Sequence, residues 1–287
     1  MKKKLSILIL MSVLVLAMCA TAFGAQISDV DVQAKPQLDK PAVQVNEYDA
    51  FIQMQAKSDE ELRQNGLTDD QIAELRNFDY AAEIQKKAKM TDRKLKAMGY
   101  DSERISGIRS FNGSEAQVRA LSATLSLSCS TSQYFYRSGK TYAVVNYSWS
   151  WNQMPFFTMT DILGIVWNPS FYQTPNNSND TQTISTYIGS SYVGTYRQSI
   201  SCKAPGHGAG VEFPLLIDEW SNKWAKSATG KIYLAASGYV PEFGVRVSYG
   251  HTTINAGSPS ISFPAGLSIS FSGGCSEEAS DYDYRSL

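Results

Sequence analysis

Few side chains in this chain have the types and spacing that acid–base or nucleophilic chemistry requires. The two histidines, His207 and His251, lie outside any HExxH, GxSxG, Walker or dinucleotide motif. Asp218 and Glu219 are neighbours, and they can act as an acid–base pair only if tertiary contacts complete a site around them. A hydrolase would need a histidine-centred site that the linear sequence does not show. The sequence therefore predicts no catalytic residue, no cofactor and no enzymatic activity.

Four cysteines are the remaining reactive groups, and Cys19 belongs to an apolar leader. If that leader is removed, Cys129, Cys202 and Cys275 permit at most one disulfide and leave one free thiol. Their spacing contains no CxxC or CxxCH pattern, so it predicts neither a zinc site nor haem attachment. The sequence favours no particular pair, and buried, unreactive thiols are the alternative.

Residues 1–24 have the pattern of a secretory signal peptide. Lysines come first, an apolar run from Leu5 to Met18 follows, and small residues then stand at signal-peptidase spacing. The run is shorter than the ~20 residues that cross a bilayer as a helix. Lipid attachment at Cys19 is disfavoured because Met18, rather than a small residue, precedes it. We expect a secreted, extracellular protein.

The charge balance argues against nucleic acid as a partner. The whole chain has 26 basic and 27 acidic residues and a formal net charge of −1. Residues 25–119 contain 14 basic and 17 acidic residues, and residues 120–287 contain 9 and 10. Binding to a phosphate backbone requires clustered basic residues, and neither part has a basic excess.

Residues 25–119 predict a small helical region that contains an internal repeat. The segment Ser58–Asp79 matches Thr91–Asn112 at a shift of 33 residues, with six identities in 22 positions. Capping boxes that start at Ser58 and Thr68 begin two helices, and a glycine ends the first helix of each copy. Each copy is thus predicted as helix, glycine turn, helix. The region directly follows the leader, so it is either a propeptide or a solvated accessory bundle.

From residue 120 to residue 287 the pattern changes to strands. Apolar and polar residues alternate along short runs such as Ala143–Trp151 and Val245–Tyr249, which is typical of antiparallel strands with one buried face. Turn-rich stretches separate the runs, and Asp218–Lys226 is predicted as one short helix. The predicted fold class is α+β in segregated parts, with a small N-terminal helical region followed by an all-β antiparallel sandwich or barrel.

Two of the predicted strands, Leu121–Cys129 and Ile261–Phe271, alternate apolar and small polar side chains without any charge. A strand of about 9–11 residues with this pattern can line a membrane pore, with lipid on one side and water on the other. The same pattern also suits an ordinary β-sandwich, which is the commoner case. Pro264 cannot donate a ladder hydrogen bond, so the second strand is expected to be an edge strand or to carry a bulge.

The densest aromatic motif lies near the start of the β-rich part. It consists of Trp149-Ser150-Trp151-Asn152, Pro155, Thr160-Asp161, Gly164 and Trp167. Together with the leader and the repeated helical region, this motif resembles secreted precursor proteins of spore-forming Gram-positive bacteria, and among them the geobacillin-like bacteriocin family. The resemblance implies an antibacterial protein that is released to act on competing cells. It assigns no functional residue.

These observations favour a secreted, bacteriocin-like antibacterial protein with a helical propeptide at residues 25–119 and a β-sandwich-like mature domain at residues 120–287. Its expected partner is the cell envelope or membrane of a target bacterium. The alternative is a non-catalytic secreted surface or matrix protein. Such a protein would bind a polymer or assemble with itself through its serine- and tyrosine-rich faces.

Overall fold

The computed structural model describes residues 32–34, 40–174, 178–255 and 257–287. The predicted leader at residues 1–24, including Cys19, lies outside the described residues. Within the described ranges, no helix is both long enough and apolar enough to span a bilayer.

Seven helices lie in the described N-terminal part, and each begins after a side chain that caps its first turn. They are α1 (Glu47–Ala56), α2 (Asp59–Gln64), α3 (Asp69–Asn77), α4 (Tyr80–Ala88), α5 (Asp92–Ala97), α6 (Ser102–Arg109) and α7 (Glu115–Leu121). The predicted capping boxes form at Ser58 with Glu61 and at Thr68 with Gln71. At Thr91 the side chain accepts a single bond from the Lys94 amide, because a lysine replaces the glutamate of the box.

The two copies of the predicted repeat make equivalent contacts. Helices α2 and α3 form one copy, and helices α5 and α6 form the other. The turn glycines are Gly66 and Gly99, with φ of 87° and 86°, and the equivalent ion pairs are Arg76–Asp59 at 2.7 Å and Arg109–Asp92 at 2.6 Å. A positive φ strains any residue with a Cβ, which explains why both turns carry glycine.

Sixteen strands account for most of the described chain outside these helices. They are β1 (Val32–Gln33), β2 (Val43–Asn46), β3 (Thr124–Arg137), β4 (Lys140–Trp151), β5 (Thr160–Trp167), β6 (Tyr172–Gln173), β7 (Thr181–Ile188), β8 (Ser191–Ser199), β9 (Ser201–Ala204), β10 (Gly208–Pro214), β11 (Leu216–Asp218), β12 (Lys223–Ser237), β13 (Glu242–Thr252), β14 (Ser260–Ser262), β15 (Ser270–Ser272) and β16 (Cys275–Ser286).

The strands form a sandwich of two antiparallel sheets and a small hairpin. The nine-stranded sheet has the order β1-β3-β4-β12-β7-β8, with β2 beside β3 and with β6 and β11 beside β12. The five-stranded sheet has the order β16-β13-β5-β10-β9, and β14 pairs with β15 alone. Alternate residues of both sheets point between them and form the main core, which contains four buried tryptophans, Trp149, Trp151, Trp167 and Trp224. The predicted fold class is confirmed.

The helices have a hydrophobic core of their own, distinct from the core of the sandwich. It is centred on buried residues such as Phe51, Leu75 and Ile84, and the body contributes Ile254 together with the partly buried Phe156 and Phe157. The helices therefore lie against one end of the sandwich and do not enter its interior.

The backbone of residues 25–119 is nevertheless joined to the body. Strand β2 pairs with β3, from Val43 opposite Leu127 to Asn46 opposite Thr124. Strand β1 pairs with the far end of β3. Helix α7 ends at Leu121, beyond the predicted boundary at residue 119. The first region thus supplies two edge strands in addition to its helices, which short-range periodicity does not reveal.

Two local predictions are wrong. The predicted helix at Asp218–Lys226 is instead the end of β11, a turn and the start of β12, because the Asp218 carboxylate accepts bonds from the Trp220 amide and the Ser221 hydroxyl within the turn. The predicted single strand Ile261–Phe271 is folded at Pro264–Gly266 into the hairpin of β14 and β15. Gly266 has a φ of 76°, and Pro264 has no amide proton for a ladder.

Candidate functional site

The connection between β13 and β16 is the most unusual segment of the body. These strands are antiparallel neighbours, yet residues 253–274 join them instead of a short turn. We call this segment the outer hairpin, and residue 256 lies outside its described part. Rather than extending beyond the sandwich, the outer hairpin folds back and covers the outer face of the five-stranded sheet.

The face beneath the outer hairpin is lined by glycines from three adjacent strands, and we call these the glycine trough. They are Gly164 on β5, Gly208 and Gly210 on β10, and Gly244 and Gly250 on β13. The apolar side chains of the hairpin occupy the space that side chains at these positions would fill. A Cβ at Gly208 would lie 2.6 Å from the Phe263 ring, and one at Gly250 would lie 2.5 Å from Phe271. The trough therefore permits close face-to-face packing.

The outer hairpin is amphipathic and carries no charge. Its apolar residues Ile261, Leu267, Ile269 and Phe271 pack with Ile162 and Val166 of β5. Ser262 and Ser270 alternate with them and are exposed. No residue from Thr252 to Ser276 is acidic or basic, a run of 25 residues. In the described structure the tip is thus attached to the sheet mainly by apolar side-chain contacts.

The base of the outer hairpin contacts the helical region. Ile254 is 2% exposed and belongs to the helical core, and the Thr253 hydroxyl lies 3.6 Å from the Met54 sulfur. Gln71 donates a hydrogen bond of 3.2 Å to the carbonyl oxygen of Asn255. The amides of Thr253 and Ile254 bond to the Gly274 carbonyl, which closes the base. Helices α1 and α3 thus hold the point at which the hairpin leaves the sandwich.

A buried carboxylate at the start of α1 makes a second connection between the two regions. Glu47 is fully buried, and its oxygens accept hydrogen bonds from the amides of Phe156 at 2.7 Å and Phe157 at 3.0 Å. Its Oε1 also lies 3.5 Å from Nε2 of His251. The Glu47 backbone amide bonds to the carbonyl oxygen of Ala123. One residue of the helical region therefore joins three segments of the body.

On the body side, His251 is oriented by Asp161. Nδ1 of His251 lies 2.9 Å from Oδ2 of Asp161, and both side chains are fully buried. The same carboxylate accepts bonds from the Tyr249 hydroxyl at 2.7 Å and from the Thr252 amide at 2.9 Å. We call Glu47, His251 and Asp161 the junction cluster. His251 stands two residues before the first residue of the outer hairpin.

The electrostatics of the junction cluster favour a charged imidazole. Burial lowers the pKa of His251, but the charge and hydrogen bond of Asp161 and the nearby Glu47 carboxylate outweigh burial, so this pKa stands well above its usual value. Burial also raises the pKa of the nearby Glu278 carboxyl well above its usual value, and the charges of Glu47 and Asp161 raise it further. A protonated His251 donates from both ring nitrogens, one toward each carboxylate.

The structure also places the histidines and acidic residues that were considered for acid–base chemistry. His251 and Asp161 have the geometry of a hydrolase dyad, but His251 is fully enclosed and its Nε2 faces Glu47 rather than a hydroxyl or thiol nucleophile. His207 lies in another loop, with Nε2 3.4 Å from the Phe263 carbonyl oxygen. Asp218 serves the turn described above. Among the described residues, no group of His, Cys, Asp and Glu is placed to hold a metal ion.

The three cysteines of the described chain are free thiols. Cys129 and Cys275 are buried, and Cys202 is exposed. Burial raises the pKa of the Cys129 and Cys275 thiols, and neighbouring carboxylates raise them further. The structure thus shows none of the disulfides that the sequence permits among Cys129, Cys202 and Cys275.

Sequence reasoning did not find the most connected residues of this site. Glu47 resembles any acidic residue in the first turn of a helix, and Asp161 resembles a polar residue at a strand end. One signal was available for the trough, since glycines alternate with apolar residues in Gly208-Ala209-Gly210 and at Gly244 and Gly250. Glycine inside a strand marks the close approach of another segment.

Neither a protein-family model nor a curated protein matches the chain. Among solved structures, similarity is found to one described as a pore forming protein, with 13% identity, a TM-score of 0.26, and 56% of this chain and 84% of that chain covered. A Clostridium perfringens delta-toxin is 8% identical with a TM-score of 0.21, over 56% of this chain and 83% of the toxin. The KRT10-binding region domain of the pneumococcal serine rich repeat protein PsrP is 9% identical with a TM-score of 0.22, over 44% and 76%. Scores and identities this low do not establish a shared function.

Proposed function

We propose that this protein is a secreted, bacteriocin-like antibacterial protein that acts on the membranes of target bacteria through its outer hairpin. The proposal further assigns to residues 25–119 the role of a propeptide-like restraint. One observation carries it. A charge-free amphipathic hairpin lies on a trough of glycines, and a separate helical region holds its base.

The dimensions of the outer hairpin suit a bilayer. If the fold at Pro264–Gly266 becomes the tip, the two free arms are residues 253–263 and 267–274, or 11 and 8 residues, and the second arm reaches 10 residues with Cys275 and Ser276, which already pair with β13. A membrane-spanning strand needs about 9–11 residues to cross a hydrocarbon core of about 30 Å. Strands β13 and β16 are already paired, so straightening the arms would extend an existing ladder. Ile261, Ile269 and Phe271 would then meet lipid, and the serines would face water or a second copy.

In this proposal, the helical region prevents the outer hairpin from straightening. Ile254 cannot leave with the hairpin while it is buried in the helical core, and Gln71 holds the Asn255 carbonyl. Removing or loosening the helices would expose Ile254, Phe156 and Phe157 and free the hairpin base. The exposed turn at Asn112–Ser114, before α7, is an accessible place for proteolysis.

Two adjacent substitutions test the hairpin itself. We expect Ile269→Lys to abolish dye release from liposomes of anionic and zwitterionic lipid, because a lysine on a lipid-facing strand costs about 2–4 kcal/mol near the bilayer centre. The matched control is Ser270→Lys, which adds the same charge one residue away on the polar face. We expect it to retain dye release. Circular dichroism and thermal unfolding verify that both variants fold.

The assay uses the full chain, with and without limited proteolysis, and the same samples are applied to a panel of Gram-positive strains. Equal dye release by both lysine variants would show that the hairpin does not enter lipid. Growth inhibition without dye release by the unmodified protein would overturn the membrane route. Activity that falls on proteolysis near residue 113 would contradict the restraining role of the helices.

A further inference from the structure

The outer face of the nine-stranded sheet is a lattice of hydroxyl groups. Strand register places fifteen outward-facing residues in three rows across β3, β4, β12, β7 and β8, and we call them the hydroxyl face. The rows are Ser126, Ser150, Ser227, Ser185 and Thr195; Ser128, Ser148, Thr229, Thr183 and Arg197; and Ser130, Asn146, Lys231, Thr181 and Ser199. Every residue of the face is at least partly exposed.

The charge on this face has one sign. Twelve of the fifteen positions are serine or threonine, one is asparagine, and the two charged residues are Arg197 and Lys231. No described residue forms an ion pair with either cation; Lys231 lies 6.0 Å from the ring of Tyr233. In a protein of net charge −1, a face with two unpaired cations and no carboxylate is complementary to an anion.

A cleft of about 510 Å³ lies over the second and third rows of the hydroxyl face. Its lining includes the two cations and side chains from the second and third rows, with no acidic residue among them. This volume lies within the range of ~300–1,000 Å³ that is usual for small-molecule sites, but the lining is hydroxyl-rich instead of apolar. Hydroxyl groups both donate and accept hydrogen bonds, and so they match the hydroxyls of a polyol. Ser128 and Ser148 already bond to each other at 2.8 Å.

The spacing of the cations indicates an extended ligand. Arg197 pairs with Thr183 and Lys231 pairs with Thr181, so the two cations lie on opposite sides of β7 and one two-residue step apart. Strand spacing places their Cα atoms about 12 Å from each other, and five strands make the face about 19 Å wide. At this separation each cation has room to bind an anionic group of its own. A chain with repeated anionic groups can contact both.

We propose that the hydroxyl face binds an anionic polyol polymer, in which hydroxyl-bearing units are linked by phosphate groups. Arg197 would bind one phosphate through two parallel hydrogen bonds, and Lys231 would bind another as a point charge. Thr181, Thr183 and Thr229 would bond to the polyol hydroxyls between them. This inference rests on the proposed action at bacterial envelopes, since it gives that action a surface polymer to recognise.

The test measures binding of the full chain to poly(glycerol phosphate) by titration calorimetry, beside three comparison ligands. We expect affinity for this polymer and at least tenfold weaker binding of polyphosphate, neutral dextran and monomeric glycerol phosphate. Equal binding of polyphosphate would show that the face attracts negative charge and does not recognise the polyol hydroxyls. Equal binding of neutral dextran would show that the two cations do not contribute to recognition. Equal binding of monomeric glycerol phosphate would show that the repeated phosphate groups of the polymer do not contribute. Absence of binding to poly(glycerol phosphate) overturns the inference.

Matched variants assign the binding to this face. We expect the double substitution Arg197→Gln and Lys231→Gln to weaken binding at least tenfold, and the control Arg93→Gln and Lys96→Gln on the helical region to leave it unchanged. The pair Thr183→Val and Thr229→Val keeps the β-branched shape and removes two hydroxyls, and it should weaken binding several-fold. Equal effects in the control pair would place the binding elsewhere. If the protein binds the polymer but causes neither dye release nor growth inhibition, the membrane function is refuted and the polymer-binding inference stands.

Discussion

Replacing Glu47 by glutamine perturbs the connection between the helices and the sandwich with little change in shape. The carboxylate accepts bonds from the Phe156 and Phe157 amides and faces His251 at 3.5 Å, and it is fully buried. Glutamine keeps one acceptor oxygen and replaces the other by an amino group. Both amides bond to Oε1 and keep this acceptor if the glutamine oxygen takes its place, but the new amino group is then a buried donor that faces the Phe156 amide, where Oε2 accepted at 2.9 Å. The charge opposite His251 also disappears.

The expected loss in the free energy of unfolding is about 3–5 kcal/mol. A buried donor without a partner costs about 1–3 kcal/mol. Breaking a buried ion pair by removing one partner costs about 3–5 kcal/mol, and here the loss is reduced because Asp161 still pairs with His251. Proteins are stable by only about 5–15 kcal/mol, so this one substitution removes a large share.

Urea unfolding followed by tryptophan fluorescence and by circular dichroism at 222 nm measures this loss. The four buried tryptophans report on the sandwich, and the signal at 222 nm reports mainly on the helices. We expect the helical transition of Glu47→Gln to move to lower urea and to separate from the fluorescence transition. The control is Glu60→Gln, whose side chain is 72% exposed and whose loss costs about 0–1 kcal/mol.

A double-mutant cycle with His251→Gln isolates the contact between the two residues. We expect a coupling free energy above about 1 kcal/mol. If Glu47→Gln unfolds within about 0.5 kcal/mol of the unmodified protein, the carboxylate does not hold the helices to the body. The junction cluster would then have no part in the restraint.

The remaining predictions concern titration, packing and thiol access. The raised pKa of His251 contributes stability that is fully present below about pH 6.5 and is lost as pH rises through the folded-state pKa. The carboxyl pKa of Glu278 is also raised, so ionisation of this group reduces the stability of the folded protein as pH rises above about 4.3. The melting temperature should therefore fall from pH 6 to pH 9, and a rise over this range would contradict both assignments. Gly208→Ala should displace the Phe263 ring and increase protease cleavage within the outer hairpin. The control Gly139→Ala strains a turn between β3 and β4, at a φ of 76°, but its added Cβ meets no atom within 4 Å, so cleavage within the outer hairpin should not increase; equal cleavage of the hairpin would show that the trough does not position it. In the native protein a thiol reagent should label Cys202 within minutes and reach Cys129 and Cys275 only after unfolding, as peptide mass analysis would show; early labelling of either buried thiol would contradict the described packing.

Local patterns were sufficient for the elements whose stability is local. The capping boxes at Ser58 and Thr68, the turn glycines Gly66 and Gly99, and the alternation in β4 each depend on neighbours within a few residues. Their predictions are confirmed because helix caps, positive φ and strand alternation leave a direct mark on residue types. The failures at Asp218–Lys226 and Ile261–Phe271 arise where a turn interrupts a pattern that continues on both sides.

By itself, the sequence determined the α+β layout, the helical repeat and the charge-free, amphipathic character of residues 252–276. Only the tertiary structure decided where that segment lies, what covers Ile254, and that Glu47 meets His251 and Asp161. The register of the five strands also places twelve hydroxyl residues and two cations on one face. The physical reason is chain separation: Glu47 and His251 are 204 residues apart in the sequence, and the contacts between them depend on strand register and packing that no local pattern encodes.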